Sequence, residues 1–167
     1  IARLEAISTI RIDGKSPSLR MLIELEDHEA DGLENEFMVA SDGQAIDYCT
    51  LAPVGNASLE ALRYLQTLEW LSATIKTGDT ISTDTLLEIH SRCVFGKPAS
   101  ETGVTFRQHD YHVPDNLARL YRPPAPADIP AFMEDLCAFV NKDIYTPNTQ
   151  AAIAHFQFEG IKPFKRG

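Results

Sequence analysis

The stretch AHFQFEGIKPFKRG, from Ala154 to Gly167, decides how the rest of the chain is read. A helical run carrying His155 and Phe158 reaches Gly160, then Pro163, then a basic turn that ends in glycine. Proline stops the helix there, and a turn of this kind presents backbone N–H groups to an anion when another helix follows it. The helix leading in begins at TPNTQAAIAHF: Thr146 can cap it, and Pro147 suits the first helical position, where an N–H would have no partner anyway. Ala151, Ala154 and His155 form a small face that permits close approach by another helix.

Working outward, the apolar rhythm remains helical. Ser58 precedes Leu59, Leu62, Leu65, Leu68 and Leu71, with Gly78 as the expected C-terminal cap. Ser82 opens a second helix containing Leu86, Leu87, Ile89 and Val94 and closed by Gly96, and the two are expected to pack as neighbours. A third runs from Ile129 to Val140 with Ile129, Phe132, Met133, Leu136, Phe139 and Val140 on one face and Asp128 as N-cap. PSLRMLIELE, Pro17 to Glu26, starts a shorter helix before a polar stretch read as loop. Glu101 to Ala127 is the one sizeable non-helical block: alternation around Val104, Phe106 and Tyr111 suits strands, and Pro123, Pro124 and Pro126 exclude helix. There is no internal repeat and no linker, so one compact domain is expected.

A length of 167 residues with 44% hydrophobic and 23% charged composition is enough for a substantial core. The net charge of −9 argues against broad binding to nucleic acid or acidic membranes, where Lys and Arg must neutralise phosphates. Apolar runs are too short to span a bilayer, and the N-terminus lacks the layout of a signal peptide, so a cytoplasmic protein is expected. Ile1 in place of Met, and a final glycine inside a motif, suggest that both ends are boundaries of a fragment. Cys49, Cys93 and Cys137 show no C-x-x-C spacing and read as reduced thiols.

Most catalytic patterns fail. His109 and His112 flank Asp110 without a third or fourth metal ligand at a recognisable spacing. FGKPAS, Phe95 to Ser100, lacks the remainder of a P-loop and reads as a helix-ending turn. His28 and His90 are lone histidines, read as surface or satisfied core residues. No G-x-S-x-G, H-E-x-x-H or G-x-G-x-x-G pattern occurs.

Taken together, the motifs resemble the Fic family of protein adenylyltransferases, of the type with an N-terminal inhibitory helix. The family signature runs A-x-x-H-x-x-F-x-x-I-H-P-F-x-D/E-G-N-G-R-x-x-R, and this chain supplies Ala152, His155, Phe158, Ile161, Lys162, Pro163, Phe164, Lys165, Arg166 and Gly167. GVTFR, Gly103 to Arg107, is similar to the family's P-G-E-F-R stretch, and LYRPPAPADIPAFMEDLCAFVN is similar to its flap edge and following helix. TIRIDG, Thr9 to Gly14, looks like the inhibitory motif, with Asp13 in place of Glu. The resemblance implies a mainly α fold: a Fic-like helical bundle with a small β-hairpin flap. Residues 1–57 would hold the N-terminal helices and loop with Thr9, Asp13 and Gly14, and residues 58–167 the core, cut within the signature loop.

The same resemblance implies AMPylation: transfer of AMP from ATP to Ser, Thr or Tyr hydroxyls of a target protein, with Mg²⁺ held by the motif acid. In that scheme Phe164, Lys165, Arg166 and Gly167 lie against the nucleotide, and Leu120, Tyr121 and Arg122 on the flap face an unknown target. His155 is expected to pack or hydrogen-bond inside its helix, and Phe158, Ile161 and Phe164 to anchor the loop to the core.

Two positions depart from the pattern. Lys162 occupies the general-base position. With an ordinary pKa of about 10.4 against about 6.5 for histidine, roughly one lysine in a few thousand is a free base at pH 7. Catalysis would need Lys165, Arg166 and partial burial to depress its pKa strongly. Arg166 stands where the metal-binding carboxylate belongs, and a guanidinium repels Mg²⁺ while still gripping phosphate. The expectation is a pseudoenzyme: impaired transfer, with nucleotide or protein binding retained, in a domain or fragment of a larger protein. A homo-oligomer is left open.

Overall fold

The computed structural model describes residues 2–12, 19–20, 22–23, 26, 38–39, 45–46, 57–111 and 121–165. Its regular elements are α1 (Ala2–Ile12), β1 (Met38–Val39), β2 (Ala45–Ile46), α2 (Ala57–Thr74), α3 (Thr83–Phe95), α4 (Ala99–Thr102), α5 (Ile129–Val140) and α6 (Pro147–Ile161), with a 3-10 turn at Pro126–Asp128. The fold is mainly α. Among the described residues no helix is long and apolar enough to cross a membrane.

The chain divides into two compact units, Ile1–Ile75 with Arg92–Gly96, and Lys76–Ser91 with Lys97–Gly167. In the first, Ala6, Ile7 and Ile10 of α1 bury themselves with Leu22 and with Ala61, Leu62 and Leu65 of α2. The i, i+3, i+4 spacing places each set on one helical face, and each fully buried Leu contributes about 2 kcal/mol. The last turn of α3 joins this unit through side chains. Arg63 Nη1 donates to Val94 O at 2.7 Å, and the Arg92 guanidinium lies 4.4 Å above the Trp70 ring.

In the second unit, Ile129, Met133 and Leu136 of α5 bury with Ile161 of α6, and Leu86, Phe106, Val140, Ala154 and Phe158 pack around them. Ser82 begins α3 as expected: its Oγ accepts from Thr85 N at 3.2 Å while Thr85 Oγ1 accepts from Ser82 N at 3.3 Å, a reciprocal capping pair. Gly96 ends α3 at φ +69, consistent with the turn read in FGKPAS.

Several local expectations change. α2 stops at Thr74, and Gly78 takes its positive φ of 95 inside the next turn, where Asp79 accepts from Lys76 N at 2.8 Å, instead of capping the helix. Asp128 stands at the N-cap of α5 without a capping bond, because the 3-10 turn already holds it at φ −90, ψ −14, outside the extended geometry a capping side chain needs. Thr146 has that extended geometry at α6, but its Oγ1 pairs with Thr149 Oγ1 at 3.0 Å and no backbone N–H is capped. Phe132, assigned to the buried face of α5, is exposed.

Two segments read as non-helical or loop gain structure. Helix α4 covers the start of the block beginning at Glu101. In the polar stretch, Met38 pairs antiparallel with Ile46 and Val39 with Ala45. The signal was present: apolar residues flank Asp42-Gly43, a hairpin-forming dipeptide. The strands suggested around Val104, Phe106 and Tyr111 do not form: residues 103–111 and 121–125, which include flap residues Tyr121 and Arg122, carry no strand, and residues 112–120, with Leu120, lie outside the described residues.

Candidate functional site

The site forms where α6 ends. Lys162 is its C-cap, at φ 47, ψ 61, and its backbone N–H returns to Phe158 O at 3.0 Å. Among the described residues it is the one non-glycine with positive φ. A side chain in this left-handed region costs about 1–2 kcal/mol, so surrounding contacts must select it.

Those contacts come largely from Arg107, 6% exposed. Its Nε donates to Lys162 O at 2.7 Å, and its Nη2 to Pro124 O at 2.7 Å and to Ile161 O at 3.4 Å. Nη1 donates to His109 O at 3.0 Å, and the Arg107 backbone N–H to Pro163 O at 2.8 Å. One planar fork thus ties the turn to the segment that follows Tyr121. A guanidinium at a helix C-terminus also complements the negative end of the helix dipole.

Tyr121 adds a second link, donating its hydroxyl to Gly160 O and, at 3.4 Å, to Glu159 O. Partial burial raises the pKa of this phenol, so it remains a donor at neutral pH. Beneath the turn, Phe164 is 8% exposed and its ring lies flat on His90, with centroids 3.6 Å apart and planes 3° apart. Phe106 and Phe158 tilt against the same ring. Burial lowers the His90 pKa to about 4, so the imidazole is neutral near pH 7.

The Lys162 ammonium is paired with the Glu159 carboxylate. That hydrogen bond raises its pKa, outweighing partial burial, and no depression toward neutrality occurs. The group is a cation at pH 7, able to attract an anion and unable to accept a proton. Glu159 is already engaged by Lys162.

Of the residues singled out from sequence, Lys162, Phe164 and Tyr121 come together here. Lys165 and Arg122 are exposed. Arg166, Gly167, Leu120, Asp13 and Gly14 lie outside the described residues, and Thr9 is half-buried on α1 in the first unit. His155, expected to pack within its helix, faces solvent, as does Phe156 at 80% exposure, because the packed face of α6 runs through Ala154, Phe158 and Ile161 instead. Cys93 and Cys137 are free, and burial raises both thiol pKa values, leaving them poor nucleophiles.

Arg107, His90 and Glu159 were missed as site residues. GVTFR was matched as a motif, but nothing in it reveals carbonyl partners more than fifty positions away. His90 has the apolar surroundings of an ordinary helical histidine, and only the fold lays Phe164 on it.

A model of the Fic/DOC family matches residues 80–167. With the helical core and the motif turn in place, the chain belongs to the Fic/DOC family. A search of curated proteins finds none that matches the chain.

Proposed function

We propose that this Fic domain binds the phosphates of a nucleotide, ATP in the first instance, through fixed cations, and that adenylyl transfer by the family route is disabled. The observation carrying the reading is the Lys162–Glu159 pair: a lysine at the general-base position, held protonated. A cation there strengthens attraction to polyphosphate and removes the proton acceptor that a target hydroxyl requires. Lys165 and Arg166 extend the positive turn, and arginine grips phosphate without needing metal. Arg166 leaves no carboxylate for Mg²⁺ at the motif position.

Calorimetry with ATP, in EDTA and again in Mg²⁺, tests the binding. The expected result is binding in EDTA that weakens about tenfold in Lys162→Ala, the loss of one charged hydrogen bond. Absence of binding in both buffers rejects the nucleotide reading. Mass spectrometry after incubation with Mg-ATP tests the chemistry: no AMP adduct is expected, and an adduct that vanishes in Lys162→Ala would overturn the assignment of Lys162 as a disabling residue.

A further inference from the structure

A helix leaves its last carbonyls without intrahelical donors. At the end of α6 these oxygens are satisfied from elsewhere in the chain: Glu159 O and Gly160 O by the Tyr121 hydroxyl, Ile161 O and Lys162 O by Arg107. Residues before proline prefer extended backbone, yet Lys162, before Pro163, is left-handed. Local sequence therefore does not choose this conformation. Arg107 holds the carbonyls of residues 161, 162 and 163 at once, and that grip selects it.

We infer that Arg107 and Tyr121 are positioning residues for the Lys162 ammonium. By fixing the end of α6 they aim Nζ at Glu159, and through the Pro124 carbonyl and Tyr121 they tie residues 121–124 to the same turn. A ligand that displaces the 121–124 segment therefore alters the cation at position 162. The functional meaning rests on reading Lys162 as a phosphate-facing cation, but the geometry can be tested without any nucleotide.

The test is competitive acetylation of the full 167-residue chain at pH 8, with Lys142 and Lys97 as internal references and mass spectrometry as readout. Releasing Lys162 from its carboxylate increases its free-amine fraction. In Tyr121→Phe and Arg107→Lys, Lys162 is expected to react about threefold faster relative to the references, the scale of one partly exposed ion pair. A residue acting only on stability would lower the melting temperature and leave that ratio unchanged. An unchanged ratio in Tyr121→Phe, which removes one exposed hydroxyl and keeps the ring, overturns the inference even if Arg107→Lys fails to fold. Failure of the parent chain to bind ATP would overturn the functional reading alone, because the acetylation ratio does not depend on it.

Discussion

The two ends of α6 are held in opposite ways. At its start, Gln150 N returns to Thr146 O, and the Gln150 side chain donates to Val140 O, Lys142 O and Phe139 O, partners no more than 11 positions away. At its end, the donors to Lys162 O and Gly160 O lie 55 and 39 positions away. One amide closes the tight α5–α6 connection with groups that chain continuity already brings close. The motif turn depends on a segment that only the folded second unit delivers.

The difference between the two ends rests most heavily on Arg107. Arg107→Ala strands four carbonyls at once, one buried and three part-buried, and is expected to cost about 3 kcal/mol, read by urea denaturation. A loss no larger than that of Gln150→Ala would mean that the two ends are held equally.

Acid probes the same end through His90. Its folded pKa of about 4 lies below the ordinary value of 6.5, so the neutral ring is preferred in the fold. The associated stability is complete above pH 6.5 and is lost as pH falls toward 4. Because the ring is only partly buried, a discounted loss of ~2 kcal/mol is expected, and His90→Phe should flatten that part of the stability–pH profile. A profile equally steep in His90→Phe would assign the acid sensitivity elsewhere.

Gln150→Ala should cost about 1 kcal/mol and leave the acetylation rate of Lys162 unchanged, confirming that the start of α6 is independent of the turn. The smallest effect belongs to Glu159→Gln. The pair it breaks is half in solvent, so stability changes by less than about 0.5 kcal/mol, while the Lys162 pKa drops toward the ordinary lysine value. A stability loss above 1 kcal/mol would give Glu159 a structural role that the geometry does not show.

Much of the helical framework was legible from local rules. Ser82 and Gly96 bracket α3, Pro147 opens α6, and the spacing of Ile129, Met133 and Leu136 gives the buried face of α5, because capping and amphipathic periodicity act within one or two turns. Local rules fail where neighbours compete: the 3-10 turn displaces Asp128 from capping geometry, and the packed stripe of α6 turns His155 outward. Lys162 was identified from its motif position, but its protonation was not settled by sequence. Clustered cations could have lowered its pKa, and the Glu159 pairing determined the opposite direction.

Read from sequence, the chain is mainly helical, carries a Fic-type motif, and has Lys162 and Arg166 where the resemblance places the motif histidine and acid. These are properties of residue identity and short-range spacing. Folding places Lys162 in a left-handed turn, brings Arg107 and Tyr121 to hold that turn, and lays Phe164 on His90. Each requires donors and rings far apart in the chain to meet, and the free energy that selects them is released when the second unit packs.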